Sequence, residues 1–158
     1  MDKLDATLIA GGAVIAANLV GARSNPQRPR NAIWYASLRK PDLTPSGPVI
    51  GAVWTTLDVL LAVSGARLLR ATPRPARTAA LGCWSLSVAG IAGYPWVFFE
   101  RKHLGASAVT SAAMLASASA YVAAAARVDR PAAALGVPLV AWLGLAILLS
   151  EELWRRNR

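Results

Sequence analysis

Trp34-Tyr35-Ala36-Ser37-Leu38-Arg39-Lys40-Pro41, followed at short intervals by Pro45, Pro48 and Trp54, lies between two apolar segments each long enough to cross a bilayer. An ordinary solvated connection has no need of aromatic and leucine side chains. A loop that carries its own apolar anchors is expected to fold back over a cavity. The stretch therefore reads as a lid, a flap over residues 31–47, above a ligand pocket in a helical membrane protein.

The rest of the chain supports that setting. Its 158 residues are 55% hydrophobic with a mean hydropathy of +0.41, too apolar for a soluble domain of this size. Runs of about twenty apolar residues, the length a helix needs to cross the hydrocarbon core, recur at 4–22, 48–69, 78–99, 104–126 and 132–154. The expectation is an all-α membrane protein, one domain over 1–158, with five transmembrane helices and a short helical flap in the first loop. A strand-built barrel would show short alternating segments, and there are none. Lys3 is flanked by Asp2 and Asp5, and the run after it outlasts a signal-peptide core, so the first segment reads as a retained span.

The net charge of +9 would point to nucleic acid in a soluble protein. Here the basic residues fall between or just beyond the apolar runs, where lipid headgroups account for them, and no nucleic-acid partner is expected. Lys3, Arg67, Arg70, Arg74, Arg77, Arg127 and Arg130 would lie on one side of the membrane. Arg23, Arg28, Arg30, Arg39, Lys40, Arg101, Lys102, Arg155, Arg156 and Arg158 would lie on the other. By that small margin the flap and C-terminus are expected to face the cytoplasm; which membrane it is stays open. Cys83 and His103 are each the sole residue of their type, which leaves no intrachain disulfide and no protein-only zinc site.

Pro26 and Pro29 are expected to keep the chain irregular after the first span, with Asn31 capping a short amphipathic helix over about 32–39 that Pro41 stops. In the second span Trp54, Asp58, Leu61 and Gly65 recur at steps of three or four and share a face. Asp58 falls near the bilayer midplane, where an ionisable group costs about 2.5–3.5 kcal/mol, so it should face the interior, protonated or partnered. It either bonds another helix or meets a ligand. In the third span Trp84, Val88, Ile91 and Pro95 share one face. Gly82, Ser85, Ala89 and Gly93 form a small-residue stripe on the other, which makes a homodimer through span three the expected assembly. Pro138, Trp142, Ala146 and Leu149 share a face of the last span, and Glu151-Glu152 falls at the headgroup boundary.

Taken in order, Trp34-Tyr35, Leu38, Lys40-Pro41, Pro45, Trp54-Thr55-Thr56-Leu57, Ser64-Gly65-Ala66, Trp84, Val97-Phe98-Phe99, Val137-Pro138-Leu139-Val140-Ala141-Trp142 and Trp154-Arg155-Arg156-Asn157 resemble the signature of the translocator proteins, also called tryptophan-rich sensory proteins (TspO/MBR). The resemblance covers roughly residues 34–157. It implies a five-helix bundle, often dimeric, whose pocket beneath the first loop binds porphyrins, haem and benzodiazepine-type ligands. It implies that Trp54 and Trp142 stack on the ligand, that Tyr35 touches it from the flap and that Pro138 shapes the last helix near it. Together with the residues read above, the candidate ligand-contacting set is Tyr35, Leu38, Trp54, Asp58, Ile91, Tyr94, Pro138 and Trp142.

The departures from the family pattern are specific. Asp58 stands at a usual Tyr and Ile91 at a usual Asn. Tyr94-Pro95-Trp96 replaces Trp-Thr-Pro, and Ser150 replaces an Asn. Glu151 and Glu152 occupy the region where a sterol motif would need Tyr, so no sterol site is expected. The leading expectation is a membrane binding protein for protoporphyrin, haem or a similar flat hydrophobic ligand, with a sensory or regulatory role and no required cofactor. The alternatives are light-dependent porphyrin breakdown at an oxidisable Trp54 or Trp142, and a small transporter coupled to protons through Asp58. No nucleophile–base pair or phosphate-binding loop is present.

Overall fold

The computed structural model describes residues 1–158 and contains five helices long and apolar enough to span a membrane. They are α1 (Lys3–Gly21), α3 (Gly47–Arg70), α4 (Pro75–Pro95), α5 (Leu104–Ala126) and α6 (Arg130–Arg156), with the short α2 (Pro29–Ser37) in the first loop. The helix starts follow local chemistry. Asp2 accepts the Asp5 N–H at 2.8 Å to cap α1, and Asp129 accepts the Ala132 N–H at 2.8 Å to cap α6. His103 Nδ1 accepts the Ala106 N–H at 3.1 Å, so the one histidine is the cap of α5.

The flap helix differs from expectation at its start. Pro29 does not keep the chain irregular; it is the first residue of α2, a position where a missing N–H costs nothing and a fixed φ favours the helix. Asn31 is therefore inside the helix. It is buried, and its Nδ2 donates back to the Asn25 carbonyl at 3.1 Å, pinning the approach to the flap.

Around the bundle, α1 packs on α3 and α4, α3 on α6, α6 on α5 and α5 on α4, closing a ring. Its lower half is solid. Trp84 Nε1–H donates to the Leu61 carbonyl at 2.9 Å, and its indole occupies the space a Cβ would need at Gly65. The Tyr121 ring fills the corresponding space at Gly136. The Tyr121 and Ser64 hydroxyls bond each other, and Ser64 Oγ also donates to the Ala132 carbonyl at 2.8 Å, tying α3, α5 and α6 together without an orphaned polar group. At the end away from the flap, Arg67 pairs with Asp129 at 3.1 Å. Burial acts to raise the Asp129 carboxyl, but the Ala132 N–H and the Arg67 guanidinium outweigh it and hold the group below its ordinary value.

The outer surface carries Leu8, Ile15, Leu19, Val59, Val63, Leu86 and Leu148, all exposed, as lipid contact requires. The stripe of Gly82, Ser85, Ala89 and Gly93 also faces outward, and a Cβ at Gly82 or Gly93 would meet nothing within 4 Å. No helix of the same chain uses it.

Candidate ligand site

The upper half of the ring is hollow, and the flap roofs it. Pro95 lacks the N–H that would bond the Ile91 carbonyl, and beyond it the helix widens into a π turn over Trp96–Glu100, with the Arg101 N–H reaching the Trp96 carbonyl at 3.0 Å. That turn rotates Phe98 inward. Trp34 and Tyr35 of α2 meet it edge-on at centroid distances of 5.4 and 6.0 Å, and Tyr94 stacks on its other side at 5.8 Å. Edge-on aromatic pairs contribute about 0.5–1.5 kcal/mol each, so the flap is seated rather than loosely tethered. Burial, and secondarily the neighbouring Tyr94, push the Tyr35 phenol above its usual value near 10, which leaves it a neutral hydrogen-bond donor.

A polar clasp closes the far end of the flap. Asn157, just past α6, accepts the Arg39 N–H at 2.9 Å through Oδ1 and donates to the Arg39 carbonyl at 3.0 Å through Nδ2. Arg156 donates to the Lys40 carbonyl at 3.2 Å. Arg156 is itself paired with Glu152, which steadies that arm of the clasp, while Arg155 pairs with Glu151 alongside. The Lys40 ammonium lies 4.5 Å from the centre of the Tyr35 ring.

Beneath the roof is a cavity of about 830 Å³. Tyr35, Trp54, Asp58, Ile91, Tyr94 and Trp142 line it, which brings together six of the eight candidate residues. Leu38 and Pro138 do not line it. Leu38 is the half-buried residue that ends α2. Pro138 is exposed, one helical turn farther from the flap than Trp142, and turns outward onto a groove between α3 and α6 with Val53 and Leu57. Trp142 and Leu145 border both the cavity and that groove.

The apolar walls carry few polar groups. Tyr94 OH and Ser150 Oγ lie 3.3 Å apart and Ser150 Oγ and Ser111 Oγ 3.1 Å, a short hydroxyl chain across α4, α6 and α5. Asn18 of α1 lines the cavity and neighbours Asp58, with its amide committed to the Val14 carbonyl at 3.0 Å. Asp58 has a buried Oδ1 with no hydrogen-bond partner in the protein. Asp58 and Lys40 are the only charged residues on the lining, and no ion pair joins them.

In the sequence Phe98 and Asn157 stood only as members of the family signature, with no part in the candidate site. Pro95 one turn before Phe98 was the available signal for the first. The second had none, because a clasp between residues 118 positions apart has no local pattern.

Five spans ringed around a flap-covered apolar cavity define a multi-pass integral membrane protein with an internal chamber. The chain belongs to the TspO/MBR family, whose pattern it matches over residues 8–155. It is 28% identical over 127 residues to the Translocator protein of Ovis aries, covering 79% of this chain and 75% of that protein. It is 27% identical over 125 residues to Protein CrtK of Rhodobacter capsulatus, covering 78% of each. It is 28% identical over 117 residues to the membrane protein YtaB of Bacillus subtilis, covering 74% of this chain and 76% of that one.

Proposed function

We propose that this protein binds a tetrapyrrole such as protoporphyrin or haem, or a ligand of similar flat apolar shape, in the chamber beneath the flap, and serves a sensory or regulatory role. The single observation that carries the reading is the chamber itself: about 830 Å³, walled by Trp54 and Trp142 and roofed by Tyr35. The volume lies within the range of about 300–1,000 Å³ typical of sites for drug-sized ligands. Indole faces suit a conjugated macrocycle, and stacking supplies affinity without demanding one orientation of polar groups. Lys40 at the flap end is placed to meet an acidic edge of such a ligand, whereas the wall below is apolar apart from the hydroxyl chain, Asn18 and Asp58.

Titration of the protein in lipid nanodiscs with protoporphyrin, read by tryptophan fluorescence, tests the reading. Saturable quenching with a micromolar dissociation constant is expected, weakened about tenfold or more in Trp54→Leu and in Trp142→Leu. Equal affinity in both variants, with helicity and melting unchanged, would move the site elsewhere.

A further inference from the structure

One oxygen of the Asp58 carboxyl is buried without a hydrogen-bond partner, and its polar neighbour, the Asn18 amide, carries no charge to balance it. Asp58 lies on α3 eleven residues beyond Gly47, about 16 Å along the helix axis at about 1.5 Å per residue, and so deep in the membrane. Lys40, the other charged residue on the cavity lining, is at the flap and already lies over the Tyr35 ring. The remaining wall is unusually rich in aromatic faces, from Tyr35, Trp54, Tyr94, Phe98, Phe99 and Trp142. Aromatic faces attract cations through their quadrupole, and a carboxylate does so through its charge, more strongly where water is excluded.

We propose that the same chamber takes a second class of ligand, flat organic cations, with the cationic nitrogen directed to Asp58 and the ring system held among the aromatic walls. The cation supplies the charged partner that Asp58 lacks, and its charge offsets the cost of a carboxylate at that depth. An uncharged ring of the same shape gains the stacking alone. The chamber is therefore selective for charge at its inner end, and the selectivity resides in one residue. This inference shares its cavity with the tetrapyrrole reading, but the affinity it concerns is separate.

The test uses 10-methylacridinium, a permanent cation, and 9-methylacridine, a neutral tricycle of the same size at pH 8. Each is titrated into wild type and Asp58→Asn in zwitterionic nanodiscs, with empty nanodiscs subtracted, and protoporphyrin is titrated into the same preparations. Wild type is expected to prefer the cation by about tenfold or more, and Asp58→Asn to reduce the preference below twofold while the neutral probe binds as before. Equal binding of the two probes to wild type, no binding of either, or a preference that survives Asp58→Asn would overturn the proposal. Asp58→Leu provides a second variant in which the preference must also vanish. Protoporphyrin binding with no charge preference would leave the tetrapyrrole reading standing and this one refuted. Asp58-dependent cation binding without protoporphyrin binding would do the reverse.

Discussion

Removing the clasp at Asn157 should open the flap by a calculable amount. Asn157→Ala deletes both hydrogen bonds to the Arg39 backbone, at 2.9 and 3.0 Å. Both are solvent-exposed, so each contributes at the low end of the usual range, about 0.5–1 kcal/mol, or about 1–2 kcal/mol together. That changes the ratio of open to closed flap by roughly five- to thirtyfold, while the aromatic seat of Trp34 and Tyr35 on Phe98 remains. Trypsin reads this opening at one bond. Lys40–Pro41 is resistant, but Arg39–Lys40 becomes a substrate once the Arg39 backbone leaves Asn157, and cleavage then follows the open population. The rate at Arg39–Lys40 should rise by that factor in Asn157→Ala. It should rise less in Asn157→Asp, which keeps the acceptor for the Arg39 N–H and loses the donor. An unchanged cleavage rate in Asn157→Ala, with the melting temperature also unchanged, would show that the clasp does not hold the flap.

Gly65→Ala would place a Cβ 2.5 Å from the Trp84 ring, which is fixed by its bond to Leu61, so a loss of about 1–3 kcal/mol and a lower melting temperature in detergent are expected. Because the folded Asp129 carboxyl titrates below its ordinary value near 3.8, its contribution is complete at neutral pH and is lost as pH falls from that value through the lower folded one. Melting curves between pH 6 and 3 should accordingly show an acid-induced loss in wild type that is smaller in Asp129→Asn. The outward stripe of α4 is proposed as a homodimer face, and Ala89→Leu with Gly93→Leu should convert dimer to monomer in light-scattering mass measurements; a dimeric mass in that variant would assign the contact elsewhere.

The five spans were readable because a membrane helix announces itself by length and apolarity, and the observed helices lie within a few residues of the expected segments. The shared faces were readable too. Trp54 and Asp58, one turn apart, both line the chamber, and the Trp84 face is buried while the glycine stripe is not. What escaped depended on contacts between distant residues or on a local break in helical geometry. A period of 3.6 residues grouped Pro138 with Trp142, yet Trp142 sits at the edge between the chamber and the outer groove while Pro138 faces the groove alone, and periodicity does not say which side of such an edge a residue falls on. Phe98 entered the site through the π turn after Pro95, which shifts the phase that a regular helix would keep. Pro29 read as a breaker because its neighbours are irregular, whereas one residue of context, the N1 position, makes it a helix start.

The most direct measurement of the central claim is the structure of the protein in complex with protoporphyrin. The macrocycle should lie beneath the flap, between the indoles of Trp54 and Trp142, with its propionate edge toward Lys40 and the Asn157 clasp closed. A macrocycle bound instead on the outer groove beside Pro138, or against the α4 stripe with the chamber unfilled, would contradict the claim.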